Sequence, residues 1–93
     1  MLSHNSYFDD QVQSVAFARH GRKESVGVIA PGSYHFGTEA AERMSIISGE
    51  ANVQRDGSEH STVYAAGSAF EVAANSGFTI SCSEPCAYRC EYL

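Results

Sequence analysis

The chain has 93 residues, 43% of them hydrophobic, and a formal net charge of −5. That length supports one domain with one core. The six basic residues, Arg19, Arg22, Lys23, Arg43, Arg55 and Arg89, form no basic stripe, which argues against nucleic-acid polymers and anionic membranes as partners; free nucleosides and nucleotides are not touched by that argument.

The first ten residues are polar, without the apolar h-region of a signal peptide. No apolar run approaches the roughly 20 residues of a membrane helix. A cytoplasmic protein is the expectation. Met1 to Tyr7 reads as a short arm that crosses to a neighbour, anchored by the rings of Tyr7 and Phe8. From there, turn signals arrive at short intervals: His20-Gly21, Pro31-Gly32, Ser48-Gly49, Asp56-Gly57, Ala66-Gly67, Asn75-Ser76-Gly77 and Glu84-Pro85. Between them the residues alternate with period two. Val15 and Phe17 oppose Ala16 and Ala18; Val26 and Val28 follow. Tyr34, Phe36 and Thr38 oppose Ser33, His35 and Gly37, and Met44, Ile46 and Ser48 continue the pattern. Further runs cover 51–55, 61–65, 68–73, 78–82 and 86–92. Such spacing predicts an all-β sandwich or barrel of about 9–10 short antiparallel strands. The weak helical patch at 39–43 is too short to stand. Cys82, Cys86 and Cys90 are read as reduced thiols, because three is an odd count without a secretory signal, and Pro85 argues against the helix that would align them. A domain this small gains from oligomerisation, so a homodimer is expected.

Four groups of residues carry candidate chemistry. Glu42, at a strand start, has the carboxylate that can hold a sugar hydroxyl or a proton. Arg22 and Lys23, in a loop between strands, offer positive charge to an oxyanion such as phosphate. Tyr34, Tyr88 and Tyr92 offer flat rings with polar tips. His35 falls on the face opposite Tyr34 and Phe36 and points outward if those two point in. No phosphate-cradling glycine loop and no G-x-S-x-G elbow is present.

The segments ESVGVIAPGSYHFGTEAAERMSIISGEANV and YAAGSAFEVAANSGFTI resemble the two conserved blocks of the cupin family. Glu42 and Gly49 keep the spacing of the first block. Its two histidine positions hold His35 and Gly37 in one register, Phe36 and Thr38 in the other, and Phe78 stands near the place of the second-block histidine. At most two of four usual metal ligands remain, so no metal is expected.

Over nearly its whole length, from about Tyr7 to Tyr92, the chain more closely resembles the pyrimidine/purine nucleoside phosphorylase family. The pieces are Ser25-Val26-Gly27-Val28, Gly32-Ser33-Tyr34-His35-Phe36, Glu42-x-Met44, Ile47-Ser48-Gly49, Tyr64-x-x-Gly67-Ser68-x-Phe70-x-Val72, Ser76-x-Phe78 and Tyr88-x-Cys90-x-Tyr92. Ala73 stands where the family usually has proline, and Ser61 where it often has tryptophan. The resemblance implies a single cupin-type domain over 1–93 and a reversible, metal-independent pentosyltransferase without cofactor. Purine and pyrimidine nucleosides would be split with inorganic phosphate into free base and (deoxy)ribose 1-phosphate. In that reading Glu42 serves the ribose, Lys23 and Arg22 hold phosphate, and Tyr34, Phe36, Thr38, Tyr88 and Tyr92 flank the nucleoside. The alternative is a non-catalytic cupin that binds a small metabolite.

Overall fold

The computed structural model describes all residues, 1–93, as ten strands and no helix. They are β1 (Ser3–Tyr7), β2 (Val12–Arg19), β3 (Arg22–Ile29), β4 (Gly32–Gly37), β5 (Glu42–Ser48), β6 (Glu50–Arg55), β7 (Thr62–Ala65), β8 (Ala69–Val72), β9 (Gly77–Cys82) and β10 (Cys86–Tyr92). One sheet has the order β1-β2-β3-β10-β5-β8 and the other β4-β9-β6-β7. Every pairing is antiparallel. The expected strand count and class are met, and the 39–43 patch ends at the start of β5 rather than in a helix.

Alternation decides what each sheet buries. On β3, Ser25, Gly27 and Ile29 are buried while Val26 and Val28 are exposed. On β10, Cys86, Tyr88 and Cys90 turn inward. Facing strands contribute Val12, Met44, Ile46, Val53, Phe70, Val72, Phe78 and Ile80 to one contiguous core. Burying a side chain the size of Phe78, 1% exposed, stabilises the fold by roughly 2–3 kcal/mol. The β2–β3 hairpin closes on His20 and Gly21, both left-handed (φ 52° and 74°), the geometry of a two-residue type I′ turn. Gly27 is required by close approach: a Cβ there would fall 2.5 Å from the Tyr88 hydroxyl, whose ring lies across it.

The N-terminal arm is a strand in this topology. Residues 3–7 pair with β2 of the same chain, as an edge strand, instead of leaving for a neighbour. Within the single chain Tyr7 and Phe8 are 46% and 45% exposed. All three cysteines are free thiols.

Thr38 is the tie between two loops. Its hydroxyl donates to the Ala73 carbonyl at 2.6 Å and accepts from the Ser76 N–H at 3.0 Å. Replacing the hydroxyl by a methyl group leaves both partners unpaired beside a buried side chain. Thr38→Val is therefore expected to cost about 2 kcal/mol, lowering Tm by about 10 °C in a thermal melt.

Candidate functional site

At one end, between the inner faces of the two sheets, lies a cavity of about 500 Å³, within the size range of small-molecule sites. Strand register builds its floor in transverse rows. Ser14, Gly27, Tyr88 and Ile46 form the deepest row. Ala16, Ser25, Cys90, Met44 and Phe70 form the next. The row nearest the mouth pairs Ala18 with Lys23, and Tyr92 with Glu42. The opposite wall is aromatic: Phe36 stacks on the buried Phe78 with centroids 5.6 Å apart, and Phe8, from the turn beside Val12, closes the side against Phe36.

Glu42 is the carboxylate that lines this cavity. Burial pushes its carboxyl above the usual range, partly offset by the Cys90 thiol, which donates to Oε1 at 3.3 Å. Burial likewise raises the Cys90 thiol and lifts the Tyr92 phenol to about 12, so both stay protonated at neutral pH. The pocket thus holds one half-buried carboxylate among neutral hydroxyl, thiol and aromatic groups.

Three of the six basic residues are committed elsewhere. Arg43 pairs with the Glu71 carboxylate at 3.1 Å, Arg55 donates to the Glu71 carbonyl, and Arg89 pairs with Glu24 at 2.8 Å. Arg19 and Arg22 lie opposite each other at the exposed end of the hairpin, on the outer face. Lys23 alternates onto the inner face with Ser25, and its Nζ sits 5.1 Å from the Tyr92 ring centroid. Lys23 is therefore the free cation at the cavity's rim, with Tyr92 between it and Glu42.

Of the residues singled out in the sequence, Glu42, His35, Phe36, Tyr88 and Tyr92 line the cavity, and Lys23 stands at its edge, over the Tyr92 ring. Tyr34, Thr38 and Arg22 do not reach it. Tyr34 is 9% exposed, with its hydroxyl donating to the Pro31 carbonyl at 3.0 Å. The Thr38 hydroxyl is used by Ala73 and Ser76. Arg22 faces away because β3 alternates. Ser14, Ser25, Cys90, Phe78, Tyr7 and Phe8 also line the cavity and were not singled out as site residues. Cys90 had a usable signal: it lies between Tyr88 and Tyr92 with period two and so must share their face.

The residues do not suit a metal ion. No three His, Cys, Asp or Glu side chains lie close enough to hold one. Phe36 and Phe78, which share the cavity with Glu42, offer no donor atom, and the Thr38 hydroxyl is committed to Ala73 and Ser76. His35 borders the cavity, but its ring nitrogen Nε2 turns away from Glu42 to pair with Asp56 at 2.9 Å.

A family model described as pyrimidine/purine nucleoside phosphorylase matches residues 2–92. A Sorangium cellulosum protein named pyrimidine/purine nucleoside phosphorylase is 52% identical over 100% of both chains. A Vibrio vulnificus protein of the same name is 46% identical, again over 100% of both. Among solved structures, a Vibrio parahaemolyticus protein of unknown function superposes with TM-score 0.98 at 44% identity, covering 100% of this chain and 99% of that one. A cupin superfamily protein from Desulfitobacterium hafniense superposes with TM-score 0.75 at 20% identity, covering 96% and 83%. That last likeness establishes the cupin fold.

Proposed function

Because this chain belongs to the pyrimidine/purine nucleoside phosphorylase family, we propose that it splits purine and pyrimidine nucleosides with inorganic phosphate, reversibly and without a metal or other cofactor. The products are free base and (deoxy)ribose 1-phosphate. The observation that carries this reading is the row Lys23–Tyr92–Glu42, which sets a free cation and a desolvated carboxylate on either side of one ring at the mouth of an aromatic cavity.

The chemistry divides along that row. An oxygen of hydrogen phosphate forms a bond to the anomeric carbon as the carbon–nitrogen bond breaks; the electron pair of that bond leaves with the base, which takes up the proton the phosphate gives up. Positive charge develops on the sugar in between, as in glycoside cleavage. Glu42, half-buried and short of water, stabilises that charge and grips the ribose hydroxyls. Lys23 holds the phosphate dianion at the rim. Phe36 stacks on the base while Tyr88 and Tyr92 frame the sugar. Stacking reads a π-face rather than a hydrogen-bonding edge, which suits a broad choice of base.

A homodimer is part of the proposal. The outer face of the six-stranded sheet exposes Val15, Val26 and Val28 side by side, an apolar patch that a second copy would cover.

The test is release of free base from uridine and adenosine by chelator-treated protein, with and without phosphate. Phosphate-dependent release of both bases is expected. Binding of nucleosides without such turnover would replace the proposal with a non-catalytic binding cupin.

A further inference from the structure

The segment between β1 and β2 has the least ordinary backbone in the chain. Phe8, Asp9 and Asp10 have φ of 54°, 53° and 67°, three successive left-handed residues with no glycine among them. Aspartate visits that region more readily than most L residues, but for a bulky aromatic such as Phe8 it is an outlier. Local bonds hold the turn in place. The Ser6 hydroxyl donates to the Asp10 carboxylate, the Gln11 N–H donates to the Phe8 carbonyl at 3.1 Å, and Gln13 Nε2 donates to the Asp10 carbonyl at 3.1 Å.

The turn, next to Val12 and so at the far end of β2 from Lys23, lays the Phe8 ring along the side of the cavity. Its centroid is 5.2 Å from that of Tyr34 and 5.7 Å from that of Phe36, and it meets Phe36 edge-on at 80°. Phe36 and Phe78, by contrast, are nearly parallel at 24°, on paired strands of one sheet. The aromatic wall therefore has a fixed part, Phe36 on Phe78, and a half-exposed part borne on a turn, Phe8.

We propose that Phe8 is the moving cover of a base-stacking slot, seated edge-on against Phe36 when the slot is empty and turned over the face of the nucleobase when it is filled. This deepens, and rests on, the reading of the cavity as a nucleoside site. A flat base stacked on both faces needs its two flanking rings about 7 Å apart, twice the ordinary carbon–carbon contact distance. The resting separation of 5.7 Å, edge-on, leaves no such gap. Phe36 is held by Phe78, so Phe8 is the ring that yields. Phe8 is 45% exposed at rest, and the surface its displacement uncovers on Phe36 is the surface the base then covers. The slot discriminates by ring planarity, which purines and pyrimidines share.

The chain has no tryptophan, so Phe8→Trp installs a single fluorophore in the cover. Saturable quenching by adenosine and by uridine, in the absence of phosphate, is the expected result. In steady-state assays Phe8→Ala is expected to raise KM for both nucleosides about 10-fold or more, the loss of one stacking face, with kcat within about threefold. Unchanged Phe8→Trp emission at concentrations where calorimetry finds the wild-type cavity full would overturn the slot, as would an unmoved KM in Phe8→Ala. The two readings separate cleanly. Quenching without phosphate-dependent base release keeps the slot and removes phosphorolysis; base release with an unmoved Phe8→Ala KM keeps phosphorolysis and removes the slot.

Discussion

Glu42→Gln is expected to lower kcat/KM for both purine and pyrimidine nucleosides by about 100-fold or more, the usual effect of removing one preorganised group that stabilises developing charge. The same variant is expected to be more stable than the wild type at neutral pH. Burial raises the Glu42 carboxyl above its ordinary value of 4.5, so in the window between 4.5 and the raised value the folded chain binds more protons than the unfolded one. Stability then falls with rising pH through that window. The contribution is fully present below 4.5 and lost once pH has passed the folded value. Glutamine keeps the shape and an acceptor for the Cys90 thiol but carries no charge to desolvate. Thermal melts should show Glu42→Gln above the wild type at pH 7, with the gap closing near pH 4. A melt in which the variant lost stability at pH 7 would mean that Glu42 is held by structural partners rather than kept at a cost for catalysis. In the wild type the acid limb of the kcat/KM profile should lie above the ordinary carboxylate range, because the working form is the ionised one.

Much of this arrangement is legible in the chain. Turn residues at short intervals and period-two alternation specify nine of the ten strands, all but β1, and Tyr34 and Phe36 turn inward opposite His35 as their alternation requires. The misreadings share a cause. Thr38 continues the alternation of Tyr34 and Phe36, but β4 ends at Gly37, and one residue past a strand end a side chain follows the loop rather than the pleat. Tyr34 is inward-facing, yet depth along the strand decides whether an inward ring meets core or cavity. Arg22 and Lys23 look equivalent as neighbours in a basic loop; alternation on β3 sends them to opposite faces. The meeting of Lys23 with Tyr92 and Glu42 depends on β10 inserting between β3 and β5, a long-range pairing that no local pattern encodes. Phe8 is the hardest case, since its left-handed turn lacks the glycine that would announce it.

Lys23→Ala is expected to raise KM for phosphate by about 10- to 100-fold, which corresponds to losing one charge-assisted hydrogen bond, while nucleoside affinity measured without phosphate stays close to wild type. The reason lies in how the other cations are spent. Arg43 and Arg55 are bound to Glu71 and Arg89 to Glu24, and Arg19 and Arg22 face outward, so no neighbouring cation can take over the role. Arg22→Ala, changing the residue next in sequence by the same charge, is expected to alter phosphate KM less than twofold, beyond a small change in long-range attraction that added salt removes. Lys23→Arg should recover part of the phosphate affinity, since charge is kept but the guanidinium is wider than the ammonium. Equal effects of the two alanine variants would mean that the hairpin acts only through its overall charge. A defect in Lys23→Ala confined to nucleoside binding would instead mean that the lysine matters by covering the Tyr92 ring, and phosphate would have to be held elsewhere.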